Sequence, residues 1–198
     1  LVTNILASLK ISLSGFALAV VIGVPLGLLM GWYQLLDRFI RPVFEIVRPI
    51  PAVSWIPLMI VWIGVGTEAK VVIIFLTAFI PCVLNSYTGI RQTSPVLINV
   101  AKVYGASNFY TFLHVGIPSS VPMIFAGMRI ALASSWSCLV AAEMLAASAG
   151  LGYMINMGRN FGRADVVVLG MVVIGFIGFV FTTIFSLIEK IVVGGGVV

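Results

Sequence analysis

"GFALAVVIGVPLGLLMG", residues 15–31, carries no charge and puts a small residue at every fourth position: Gly15, Ala19, Gly23, Gly27 and Gly31. That spacing lines one face of a helix with residues that let a second backbone approach closely, which is how helices associate in lipid, where no hydrophobic force acts between them. The apolar run reaches back to about residue 4 and exceeds the roughly 20 residues needed to cross a bilayer. It is also too long for the apolar core of a signal peptide. The stretch reads as a membrane helix with another helix against its glycine face, and Pro25 within it predicts a kink or close contact whose freed carbonyl is satisfied by protein.

The rest of the chain fits that reading. Hydrophobic residues make up 61% of the 198 and charged ones 9%, with a mean hydropathy of +1.21. Soluble domains carry about 25% charged residues, so this chain cannot cover a water-facing surface and its environment is a lipid bilayer. No segment shows the alternation of a membrane β-barrel strand, which leaves helices as the way to satisfy the backbone in lipid. The expected fold class is all-α integral membrane, a polytopic helical bundle forming a single domain over 1–198. The chain opens on Leu1 rather than Met, and a preceding segment is expected. Cys82 and Cys138 stand alone in apolar runs and read as packing residues.

Five apolar stretches are expected to span, at roughly 4–31, 50–65, 70–90, 118–143 and 166–190. The second is short and holds Pro51 and Pro57, with Pro49 just before it; it is expected to extend back through the amphipathic "LLDRFIRPVFEIV". Lys and Arg set the sides: Arg38, Arg41, Arg48, Arg91, Lys102 and Lys190 fall on one, against Lys70, Arg159 and Arg163 on the other. The positive-inside rule then puts the first and third loops, including residues 91–117, in the cytoplasm. The net charge of +5 is therefore a marker of sidedness, and no nucleic-acid partner is expected.

Residues 99–122, "NVAKVYGASNFYTFLHVGIPSSVP", are the one polar island. Pro95 suits a helix start and Gly105 a helix stop. A second short helix, "SNFYTFLHVGI", is expected after a Ser107 or Asn108 cap, with Phe109, Phe112 and Leu113 on one side and Pro118 and Pro122 opening the next span. Two short amphipathic helices with aromatic faces need something to lie against: headgroups, their own spans or the groove of a partner.

At these residues the chain resembles the permeases of ABC importers, whose cytoplasmic loop has the pattern Glu-Ala-Ala, three residues, Gly, nine residues, Ile-x-Leu-Pro. The Gly matches Gly105, the Ile Val115, the Leu Ile117 and the Pro Pro118, while the family's Glu is replaced by Asn99 and its first Ala by Val100. "VRPIPAVSWIPLMIVWIGVGTEAKVVII", "GMRIALASSWSCLVAAEMLAASAGLGYMI" and "ADVVVLGMVVIG" are similar to stretches of taurine and alkanesulfonate permeases and their relatives for nitrate, cyanate and other small molecules, so the likeness covers most of the chain. The resemblance implies a type I importer permease core with about five transmembrane helices, in the bacterial inner membrane. It implies a coupling helix at Asn99, Ala101, Lys102, Tyr104, Gly105, Ala106, Ser107, Phe109 and His114, turning at Pro118, that docks on a cytoplasmic ABC ATPase. It also implies a solute-binding protein outside and a second permease copy. Tyr104 or Phe109 would fill the partner's pocket.

No phosphate-binding G-x-x-x-x-G-K-[ST] loop is present, so ATP and Mg are expected on the partner ATPase, with no cofactor, metal or catalytic residue in this chain. The expected cargo is a small anion, first a sulfonate such as taurine, with nitrate, bicarbonate, cyanate or a vitamin-like molecule as alternatives. Trp55, Arg129, Trp136, Glu143, Arg159 and Arg163 are the candidates for the passage. For each a plainer reading stands beside it: Glu143 as a cap or a partner of Arg159 or Arg163, Arg129 snorkelling to the cytoplasmic interface, Arg159 and Arg163 as solvated loop charges, the tryptophans as packing. Two rival functions are weighed. An ion-coupled secondary transporter would need intramembrane acids, of which only Glu143 qualifies, and an intramembrane enzyme would need a clustered acid, base or nucleophile.

Overall fold

The computed structural model describes residues 1–146 and 148–194. Among them there are helices and no strands. Helix α1 (Val2–Trp32) ends where Tyr33 turns extended, and α2 (Gln34–Val47) follows at once. After a short 3-10 turn at Ala52–Trp55 come α3 (Ile56–Ile63) and α4 (Thr67–Arg91). The short α5 (Pro95–Val103) precedes α6 (Asn108–Thr111), which runs through a π turn at Phe112–Gly116 into α7 (Ile117–Ala146). Helices α8 (Leu151–Asn160) and α9 (Ala164–Gly194) are the last of the described elements.

Helix α4 is the centre, packed by α1 on one side and α7 on the other. The small-residue face of α1 makes the first seam: Gly15 meets Ile74, Gly23 meets Cys82 and Phe79, Gly27 meets Ser86, and Gly31 meets Ile90. Ala19 is fully buried in the same line. The numbers rise together, so α1 and α4 run parallel, which needs an intervening crossing. The second seam also uses glycine, with Gly89 of α4 against Met123 and Ser120, and Gly127 of α7 against Asn85. Cys82 and Cys138 are buried and unpaired. Helix α9 packs on α7 and α8 but leaves most of its surface open.

Three features refine or depart from these expectations. The stretch at 50–65, expected to extend back through "LLDRFIRPVFEIV", meets that segment across a sharp bend. Ala52–Ile63 is helical for only about 18 Å at 1.5 Å per residue, short of a bilayer core of about 30 Å, and α2 supplies the rest after a bend of 83°. Pro49 and Pro51 mark the break: neither has an N–H to continue the helix, and Pro51 disfavours helix at Ile50. Second, "SNFYTFLHVGI" is not a separate helix but the first turns of a 38-residue span, Asn108–Leu145. The Pro118 ring would clash with the carbonyl of His114 in a regular α turn, and the wider π turn just before it relieves that conflict. Pro118 therefore marks a widened turn rather than a hinge between two helices. Third, the segment between the fourth and fifth apolar stretches contains α8, which is buried along one face at Leu151, Gly152, Ile155 and Gly158.

Candidate functional site

Two clusters stand out, at opposite ends of the bundle. At the end where α4 finishes, α5 closes in a tight stop: Gly105 N–H donates to Lys102 O (3.0 Å) and Ala106 N–H to Ala101 O (3.0 Å). This paired bonding is the Schellman arrangement, which needs a left-handed residue, and Gly105 supplies it at φ +79°. Nothing lies near the position of a Gly105 Cβ, so the glycine serves backbone conformation and not space. Ser107 then caps α6, its Oγ accepting from Tyr110 N–H at 3.2 Å. Gly105→Ala, forced into the left-handed region, is expected to lower stability by about 1 kcal/mol, read as a small drop in melting temperature.

The segment is fixed to the bundle by contacts that its sequence pattern did not show. Phe112 is buried against the rings of Trp32 and Tyr33, at 5.6 and 5.9 Å between centroids. Trp32 also donates its indole N–H to Asn108 Oδ1 (3.2 Å) and packs under Gly116. Phe112 therefore leaves the exposed side where it was expected with Phe109 and Leu113. The surface that remains is apolar and aromatic: Tyr104 is 86% exposed, Val103 85% and Phe109 62%, with Val96, Leu97 and Val100 beside them. His114 stacks on Tyr110 at 4.0 Å and its Nδ1 lies 3.1 Å from Tyr110 O. Asn99 and Lys102 are exposed, and Ala101 and Ala106 are half-buried. A rigidly held, apolar knob of this kind is built to enter a groove.

At the other end, the first N–H groups of α8 are met one by one by side chains. Gly150 N–H donates to Asn4 Oδ1 (3.3 Å), Leu151 N–H to Ser8 Oγ (2.9 Å) and Gly152 N–H to Glu143 Oε2 (2.9 Å). Ser8 in turn donates to Glu143 Oε1 at 2.6 Å. Helix N-termini carry orphan donors and partial positive charge, so a carboxylate is favoured there. Glu143 is only 1% exposed, and Asn156 adds a bond from Nδ2 to Met144 O (2.9 Å). Glu143 thus caps a helix and binds α1, α7 and α8 together. It pairs with neither Arg159 nor Arg163. Asn4, Ser8 and the N-terminus of α8 were not foreseen. The signal available was Asn4 and Ser8 one turn apart on an apolar helix.

The other passage candidates do not gather at one place. Trp55 is half-buried and lines an apolar cavity of about 280 Å³ with Ile22, Phe44, Phe75 and Phe79, beneath α2. Trp136 is buried, donating its indole N–H to Ile174 O (3.2 Å) and meeting Phe181 edge-on. Arg129 forms an ion pair with Glu189 of α9, which holds its charge between two helices instead of leaving it to snorkel alone. Arg159 is exposed, and Arg163 is paired with Asp165 at 2.7 Å; the hydrogen bond and charge of Asp165 raise the Arg163 guanidinium above its usual range. Trp136 and Glu143 are therefore packing and capping residues in this arrangement, because each spends its polar atoms inside the bundle.

Comparison with known proteins places this architecture. The pattern of the binding-protein-dependent transport system inner membrane component family matches residues 23–194. A putative ABC transporter permease protein of Methanocaldococcus jannaschii is 40% identical over 181 residues, covering 91% of this chain and 68% of the relative. The taurine transport system permease protein of Escherichia coli is 38% identical, over 86% of this chain and 62% of its own length. A nitrate import permease protein of Leptolyngbya laminosa is 33% identical, over 96% and 68%. Among solved structures, an inward-facing conformation of the MetNI methionine ABC transporter superposes with a TM-score of 0.83 at 20% identity, covering 96% of this chain and 95% of the other.

Proposed function

Because this chain belongs to the family of binding-protein-dependent transport system inner membrane components, the permease subunits of type I ABC importers, we propose that it carries a small anionic solute inward, with a sulfonate such as taurine as the first candidate and nitrate as the second. The named relatives support that range, since one is a taurine permease and another a nitrate permease. In this reading the end bearing α5 faces the cytoplasm. A separate ABC ATPase binds ATP and Mg there, a solute-binding protein docks at the end bearing α8, and two copies of the chain enclose the passage.

The observation that carries the coupling role is the exposed aromatic surface at Tyr104 and Phe109, held without slack by the Gly105 stop, the Ser107 cap and the Trp32–Phe112 contact. Such a knob transmits rigid-body motion: closing of the ATPase dimer moves α5 and α6, and the continuous helix from Asn108 passes that movement to α7. Partners with different affinity for the outward-open and inward-open arrangements supply the drive. No chemistry within this chain is required.

The test is reconstitution with the cognate ATPase and binding protein. Phe109→Ala is expected to lower stimulated ATP hydrolysis by about tenfold or more, the loss typical of an aromatic anchor worth 2 kcal/mol or above, and Gly105→Pro is expected to abolish association. Full stimulation in both variants would remove the coupling role from this segment. Uptake that follows a proton or sodium gradient with no ATPase attached would instead favour an ion-coupled carrier.

A further inference from the structure

Lys70 lies in the first turn of α4, is only 7% exposed, and has neither an ion pair nor a hydrogen bond among the described residues. Its level follows from the α1–α4 seam. The register that sets Gly15 on Ile74 and Gly23 on Cys82 places Lys70 level with Ile11 and beside Ser12, about one turn inward of Ser8. The hydroxyl of Ser12 is itself buried with no hydrogen-bond partner. Lys70 is close enough for its charge to act on Glu143, yet no ion pair forms. Two uncommitted groups, one of them a full positive charge, therefore sit just beneath the capped N-terminus of α8. Burying an ammonium in this way is costly without an anion, and an ionisable group enclosed between membrane helices marks a functional place more often than a structural one.

Resting on the importer reading above, we infer that Lys70 and Ser12 form a seat for a small oxyanion, nitrate or a sulfonate head group, at the outer end of the passage, with the Glu143 carboxylate holding the position in the present arrangement. The donor set fits this class. An ammonium offers three N–H donors and a hydroxyl one more, so several oxygens carrying one negative charge are matched at once. Outward opening draws α8 and the Glu143 end of α7 away from the first turn of α4, uncovers Lys70 and leaves its charge to the arriving anion. Closure brings Glu143 back to compete for the same charge, and the anion is released toward the passage.

The experiment uses the full permease–ATPase complex in vesicles, with nitrate and ethanesulfonate as probes. An amine-reactive reagent applied from the outside is followed at Lys70 by mass spectrometry, with and without ATP and vanadate. Labelling is expected to rise in the trapped state by about tenfold, and either probe at millimolar concentration is expected to reverse it, as binding well above its dissociation constant requires. Lys70→Gln is expected to lower uptake of the transported probe by about tenfold, the worth of one charge-assisted contact, while Lys70→Arg retains most of it. Labelling that does not change with nucleotide state, or that neither probe reduces, would overturn the assignment even if the glutamine variant fails to fold. Equal loss of stability and uptake in the Gln and Arg variants would reduce Lys70 to a packing residue. ATP-driven uptake of some other solute, with both probes ignored, would remove the oxyanion while leaving the importer reading intact, and failure of any ATPase to associate would remove both.

Discussion

Glu143→Ala is expected to be among the most damaging single substitutions in this chain, lowering stability by about 3–5 kcal/mol, the cost of removing one partner from a buried charged network. The carboxylate accepts from Ser8 Oγ and from the Gly152 N–H. Alanine would strand both donors, and each buried unsatisfied group costs about 1–3 kcal/mol. It would also leave Lys70 buried with no anion near it. Glu143→Gln keeps an acceptor for one of the two donors and should lose less, so the order wild type, Gln, Ala is expected in thermal unfolding of the detergent-solubilised protein. Equal melting temperatures for all three would mean that the capped N-terminus of α8 holds nothing in place. A second readout separates local from global loss: in the alanine variant, amide exchange should rise first at Gly150–Gly152, before the α1–α4 seam opens.

Gly27→Leu is expected to prevent α1 from seating on α4. A Cβ at Gly27 would run into the carbonyl oxygen of Val83 and would lie 2.9 Å from Ser86 Cβ and 3.1 Å from Tyr87 N. Two of those three atoms are backbone and cannot turn aside. Overpacking a tight core costs about 1–3 kcal/mol where side chains can shift, and here the helices themselves must separate, so the loss should exceed that range. The expected result is a sharp fall in folded yield and a melting temperature below that of Gly175→Leu, a site with nothing near its Cβ position. Parity between the two variants would show that the glycine face of α1 is not what sets the distance between these helices.

The contrast between these two sites shows what a one-dimensional reading can reach. The Gly27 seam was legible because a repeat of four along one helix is a property of neighbours in sequence, and its consequence, close approach of another helix, needs no knowledge of which helix arrives. The Gly105 stop and the Ser107 cap were legible for the same reason, since each is a local conformational demand met within five residues. The bend between α2 and α3 was half legible: the prolines announced a break, but its angle of 83° depends on what α1 and α4 leave room for. Helix α8 was missed because ten residues give too short a period, and because its stability comes from Asn4, Ser8 and Glu143, which lie elsewhere in the chain.

By itself, then, the sequence determined that this protein is a bundle of membrane helices, that α1 carries a face for close packing, and that the polar segment around Gly105 is a turn between helical pieces. These follow from composition and from short-range periodicity, which act before any tertiary contact forms. Only the tertiary structure decided that Phe112 is an anchor while Tyr104 and Phe109 stay exposed, that Arg129 answers to Glu189, and that Glu143 closes the end of α8 with Lys70 shut in below it. A buried charge is defined by partners that come from other helices. Its role is fixed by their arrival and not by the residues on either side of it.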